Sequence, residues 1–134
     1  MSTEPLENLE ELARRAVACK RWRWMPGMLS AKGLRVTRRD SDGYVVGYYE
    51  DLSYIAECVA GSLPDLTDPA TLGCLLALVR KALKPRGWGF TLCLANTGAG
   101  WQLGYLAGGE WFSPLGTIHR SEAAALVAAL EVAP

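Results

Sequence analysis

The sequence predicts an α+β fold: an antiparallel β-sheet core with three helices, in the order α-(βββα)-(βββα), sandwich-like. Three observations carry this. Apolar residues recur at helical spacing near the N-terminus, in the middle and at the C-terminus. Between these stretches lie runs that alternate with a period of two and are punctuated by turn residues. Two of the runs echo each other. YVVGYYE (Tyr44 to Glu50) and WQLGYLA (Trp101 to Ala107) each open on an aromatic residue, carry Gly at the fourth place and Tyr at the fifth, and follow a hairpin turn.

The first helix is expected over Glu4 to Lys20, with Leu6, Leu9, Leu12, Ala13, Ala16 and Val17 on one stripe and Thr3 as its cap. Acidic residues crowd its first half and basic residues follow, which suits the helix dipole and allows Glu10 to pair with Arg14 and Glu11 with Arg15. Pro26-Gly27 breaks the chain. A hairpin follows: GLRVTRR, the turn DSDG (Asp40 to Gly43), then YVVGYYE, with Tyr44, Val46 and Tyr48 on one face and Val45, Gly47 and Tyr49 on the other. LSYIAECVAG reads as a third strand with Tyr54 and Ile55 in its middle, although a helical turn fits there too.

Leu63-Pro64-Asp65 reads as a turn, and Asp68 as the cap of a second helix with Pro69 at its first position, where a missing N–H costs nothing. Leu72, Leu75, Leu76, Val79 and Leu83 form the stripe expected to be buried; Arg80, Lys81 and Lys84 suit the C-terminal end, and Pro85 stops it. In GWGFTLCLA, Trp88, Phe90, Leu92 and Leu94 alternate with smaller residues. NTGAG turns the chain, WQLGYLA returns with Trp101, Leu103 and Tyr105 on one side, Gly108-Gly109 turns again, and EWFSPLG makes a Pro-interrupted edge strand. Ser121 caps the last helix, EAAALVAALEV, whose alanines allow close approach to a sheet.

Composition bounds the function classes. The 134 residues suffice for one domain with a real core, and half of them are hydrophobic while 21% are charged, which excludes disorder. Fourteen basic and fourteen acidic residues give no net charge, which weighs against a dedicated nucleic-acid binder. The acidic, amphipathic N-terminus is unlike a signal peptide, and no apolar run reaches the roughly 20 residues that span a bilayer, so a soluble protein retained where it is made is expected. Cys19, Cys58, Cys74 and Cys93 are widely and irregularly spaced, which reads as reduced, buried thiols. With His119 the only histidine, neither a metal site nor a cofactor is expected.

From LPDLTDPATLGCLLALVRKAL through GWGFTLCLANTGAGWQLGYLAGGEWF to the closing Ala/Leu helix, roughly residues 63 to 134, the chain resembles the phage ABA sandwich domain. The quoted features are the helix before Gly87-Trp88, the Phe90-Thr91-Leu92, Trp101 and Glu110-Trp111 strands, and the helix from Ser121 to Val132. The opening LEELARRAVACKRWRWMPGM is similar to the start of many short phage-type proteins, where a helix runs into a Trp-bearing strand. The resemblance implies an α+β phage or prophage protein acting in the cytoplasm of a bacterial host cell. That family offers no catalytic residues, so it implies no enzymatic activity.

The candidate site is RWRWMPGM. In an extended segment Trp22 and Trp24 share one face and Arg21 and Arg23 the other. The tryptophans either close the core between the first helix and the sheet or line a ligand cleft, in which ring faces and guanidinium forks hold bases and phosphates. Arg35, with Arg38 and Arg39, either sits on a solvated hairpin neutralised by Asp40 and Asp42 or joins an anion-binding surface. His119 and Arg120 precede the last helix, whose free N–H groups favour anions, and His119 has the chemistry of a general base but no assignable nucleophile. Asp65 and Asp68 read as a turn and a cap rather than metal ligands, and the clusters NTGAG and AGGE as hairpin turns rather than phosphate loops.

Two functions from different classes follow. The first is a non-enzymatic phage accessory binder that sequesters a nucleotide-like small molecule or covers a host defence protein, with a homodimer formed through an exposed edge such as the Trp111 strand. The second is a nucleic-acid-binding accessory protein, which requires Arg21, Arg23, Lys32, Arg35, Arg38 and Arg39 to form one face. A structural or assembly role without a ligand stands beside them.

Overall fold

The first helix, α1 (Leu9–Val17), is shorter at both ends than the Glu4 to Lys20 span expected. The computed structural model describes residues 8–39, 45–49, 56–59, 61–83, 91–96, 98–107 and 110–133. Asn8, with extended backbone, caps α1 by accepting the Glu11 N–H at 3.1 Å, so the helix expected from Glu4 starts at Leu9. Thr3 and Leu6 lie outside the described residues. Past Val17 the chain tightens into short turns: the Cys19 N–H donates to the Ala16 carbonyl at 3.0 Å and the Trp22 N–H to the Cys19 carbonyl at 3.1 Å. Leu12, Ala13 and Ala16 are buried. Glu10 pairs with Arg14 at 2.6 Å as expected, but Arg15 turns from Glu11 to Glu131, near the far end of the chain.

The first sheet is antiparallel in the order β1-β2-β3, with β1 (Leu34–Arg39), β2 (Val45–Tyr49) and β3 (Ala56–Cys58). The turn Asp40 to Gly43 and the expected strand centre Tyr54-Ile55 lie outside the described residues. Gly47, the echoed glycine, sits in the central strand. A Cβ there would lie 3.1 Å from the Arg35 carbonyl oxygen, Leu34 Cβ and Val59 Cγ1, so close packing on three sides demands glycine.

A short ladder that the alternation pattern does not announce flanks this sheet. Gly27 and Val36 pair through the Gly27 N–H to the Val36 carbonyl and the Val36 N–H to the Met28 carbonyl, both 2.8 Å, and the Ser30 N–H reaches the Leu34 carbonyl at 2.8 Å. On the other side the Ala31 N–H donates to the Leu63 carbonyl at 2.7 Å and the Asp65 N–H to the Leu29 carbonyl at 2.8 Å. Leu63-Pro64-Asp65 is therefore extended, not a turn. The turn comes next, where the Asp65 carboxylate accepts the Thr67 N–H at 2.9 Å and its hydroxyl at 2.5 Å. Gly27 and Gly33 have φ of +100° and +93°, the left-handed region that lets this hairpin reverse.

Helix α2 (Pro69–Ala82) begins as the sequence predicts, with Asp68 accepting the Thr71 N–H at 2.9 Å. Its buried residues are Thr71, Leu75, Leu78 and Val79. Leu72, Leu76 and Leu83 are half-buried against the core, so the stripe is rotated toward Leu78. Pro85 lies outside the described residues.

The second sheet is antiparallel in the order β4-β5-β6, with β4 (Thr91–Asn96), β5 (Trp101–Ala107) and β6 (Glu110–His119). β6 lies at the edge, as its proline requires, but runs on to His119. Leu103 pairs with Leu115 and Tyr105 with Phe112, so the register slips across Ser113-Pro114, where a strand tolerates a missing N–H. In the β4–β5 turn the Gly98 N–H donates to Asn96 Oδ1 at 2.9 Å.

Helix α3 (Glu122–Val132) is capped by Ser121 as expected and packs on α1, α2, β5 and β6. Buried residues of α1, β1, α2, β5 and α3 join in one hydrophobic cluster with Met28, Val59 and Leu66. The α+β class and the order α-(βββα)-(βββα) thus hold, with the strands in two three-stranded sheets. No described helix is long and apolar enough to cross a membrane.

Candidate functional site

The Arg21 to Trp24 segment is a corner between α1 and the Gly27 hairpin, outside any regular element. Its shape follows from its neighbours. The last turn of α1 has already loosened at Cys19, and Gly27 is held to Val36, so the segment is anchored on both sides. Trp22 and Trp24 are half-buried and pack against the core cluster. Their rings meet edge to face, with centroids 5.5 Å apart and planes at 77°. Arg21 and Arg23 are exposed. The alternation predicted from the sequence is therefore present in exposure: the indoles are half-buried against the core and the arginines are exposed.

Two thiols stand beside this corner. Cys19 precedes it, with its thiol directed to the Arg15 carbonyl at 3.2 Å, and Cys74 of α2 lies behind the turn, 3.5 Å from the Pro26 carbonyl. Both are half-buried rather than fully buried as the sequence suggests, as is Cys93. Burial pushes the Cys19 and Cys74 thiols up, which keeps them protonated at neutral pH.

Arg35 reaches the same turn from β1 and is committed there. Its Nη1 donates to the Gly27 carbonyl at 3.0 Å and to Asp68 Oδ2 at 2.6 Å. Asp68 also accepts the Thr71 hydroxyl at 3.0 Å, and Thr71 Oγ1 accepts the Leu29 N–H at 2.9 Å. The carboxylate expected to cap a helix thus also fixes the hairpin to that helix. The Arg35 guanidinium holds the Asp68 carboxyl below the usual carboxylate range, with the Thr71 hydrogen bonds adding to the effect against the opposing cost of burial. Arg35 pairs with Asp68, while the Asp40-Asp42 turn lies outside the described residues.

His119 and Arg120 stand at the β6–α3 junction. His119 is half-buried opposite Trp101, at the end of a strand rather than in the first turn of the helix, and Arg120 is exposed. The Arg15–Glu131 pair sets the end of α1 beside the last turn of α3, whereas His119 and Arg120 precede its first turn. The 11 residues of α3 separate those ends by about 16 Å. The candidate residues therefore fall into three places: the corner, the Arg35–Asp68 latch beside it, and the β6–α3 junction.

Two grooves are formed elsewhere. One, about 370 Å³, lies between α2, β4 and α3 over Leu72, Leu76, Leu94 and Leu126, with Glu122 on its wall. The other, about 410 Å³, lies between α1 and the Leu63–Leu66 segment. Its acids are Glu10 and Asp65, the first paired with Arg14 and the second holding Thr67.

Lys20 belongs with the corner and escapes the sequence pattern. A helix drawn to Lys20 absorbs it; a helix that ends at Val17 leaves it exposed beside Arg21. Compared with protein-family models, with curated proteins and with solved structures, the chain matches none.

Proposed function

We propose that this chain is a non-catalytic accessory binding protein, of the phage or prophage kind its C-terminal half resembles, and that it engages a protein partner through the Arg21–Trp24 corner. The edge-to-face indole pair carries this reading. A base held between two rings needs parallel faces about 7 Å apart, twice the ~3.4 Å stacking repeat. Rings at 77° and 5.5 Å offer no such slot. They do offer a half-exposed aromatic patch seated on the core, with exposed arginines alternating with it along the chain, which is a composition protein interfaces favour. A host defence protein is the partner class that such an origin implies.

The test compares the wild-type chain with an Arg21→Ala/Arg23→Ala variant, both tagged, in affinity capture from bacterial cells and in native mass spectrometry. The expected result is a protein partner held by the wild type and lost by a variant of unchanged Tm. A nucleotide-sized mass that travels with the wild type and disappears from the variant would replace the protein partner with a small molecule. Identical retention by both chains would remove the corner from binding altogether.

A further inference from the structure

The chain is neutral as a whole, but its charges are not evenly spread. Nine of its fourteen basic residues fall between Leu12 and Arg39, a stretch with no Asp or Glu. Carboxylates from outside the stretch pair with Arg14 (Glu10), Arg15 (Glu131) and Arg35 (Asp68). Lys20, Arg21 and Arg23 fall within four residues of one another and are all exposed. Arg21 and Arg23 alternate with Trp22 and Trp24, and Lys20 precedes Arg21.

An aromatic centre with cations at its edge selects a partner by sign as well as shape. Rim charges steer encounter and exclude partners of like charge, while the apolar centre holds the complex. We infer that the corner binds an acidic protein segment, with carboxylates meeting Lys20, Arg21 and Arg23 and an apolar side chain seated on the Trp22–Trp24 pair. This rests on the binding role proposed above for the corner. A single-stranded nucleic acid fits less well. Its platforms stack successive bases on open ring faces, whereas here the edge of one indole covers the face of the other. A long polyanion also meets a chain with no net positive charge to release its counterions.

The test is fluorescence anisotropy of a labelled peptide of Glu, Asp and Leu, with an oligo-dT strand as the comparison ligand. Arg23→Glu and Lys81→Glu change the net charge equally, but Lys81 is exposed on the last turn of α2, about 10 Å along the helix from Cys74 at the corner. The expected result is peptide binding that weakens about tenfold from about 50 to about 200 mM salt, weakens about tenfold in Arg23→Glu, and is unchanged in Lys81→Glu. Equal weakening by both variants would reduce the effect to overall charge and overturn the inference. So would tighter binding of oligo-dT than of the peptide, or no peptide binding by the wild type. If the wild type captures a protein partner that Arg21→Ala/Arg23→Ala loses, yet does not bind the peptide, the corner stands as a binding surface and the acidic partner falls.

Discussion

The two βββα units place their echoed glycines alike and attach their helices differently. Gly47 lies in β2 and Gly104 in β5, each the central strand of a three-stranded antiparallel sheet, and both are buried. The helix that follows the second sheet, α3, lies against β5 and β6 of its own unit. Ala123, Ala125 and Ala129 are buried there, and side chains this small let the helix backbone approach the strands. The helix that follows the first sheet, α2, packs chiefly on α3 and is tied to its own unit by a polar latch, Arg35–Asp68–Thr71 to the Leu29 N–H. Both helices join the shared core, but only α2 adds charge-assisted hydrogen bonds to its own unit among the described residues.

If α3 is the apolar hub, the largest loss should come from its centre. Leu126 is 1% exposed, and Leu126→Ala should cost about 3 kcal/mol, read as a lower urea midpoint, with far-UV CD and tryptophan fluorescence falling together. A loss below about 1 kcal/mol would mean the site collapses around the gap and α3 is no hub.

The latch should rank second. Asp68→Ala removes the α2 cap and the partner of a guanidinium that is 29% exposed, and should cost about 2 kcal/mol by urea unfolding. Asp68→Asn keeps a capping oxygen and should lose less. The latch also has a pH signature. The folded Asp68 carboxyl lies below its unfolded value of about 3.9, so its stabilisation is full above that pH and is lost as pH falls through the folded value. Asp68→Asn should therefore lose less stability than the wild type between neutral pH and about pH 3; parallel curves would show that the pair contributes nothing.

The smallest effect is expected where the two ends of the chain meet. Arg15 and Glu131 are 43% and 36% exposed, and Arg15→Ala should cost less than about 1 kcal/mol despite the bidentate geometry. A Tm loss as large as that of Asp68→Ala would show that this pair, and not the apolar seam of α1 on α3, fixes the first helix.

Legibility followed the range of the interaction. The caps Asp68 and Ser121, the Pro69 start and the Pro114 edge strand are written in adjacent residues, because a cap or a missing N–H acts within one turn. Asn8 was missed because the apolar stripe runs past it from Leu6. Leu63 to Asp65 read as a turn because proline signals one locally, yet its backbone is held by Leu29 and Ala31 more than 30 residues away. At the candidate site, the alternation of Arg21 to Trp24 gave the sidedness of the four residues. It gave neither the 77° between the rings nor Arg35's engagement with Asp68, which depend on how α1 and the Gly27 hairpin converge.

By itself the sequence determined the class and order of the elements, the two central glycines, two of the three helix starts and the crowding of cations between Leu12 and Arg39. These depend on periodicity, short-range sterics and composition, which any stretch of chain carries with it. Only the tertiary structure decided that the strands form two sheets, that Arg35 serves a latch while Arg21 and Arg23 stay exposed, and that the indoles close on each other at an angle. Those outcomes depend on which distant groups share a place, and burial and charge pairing are settled there.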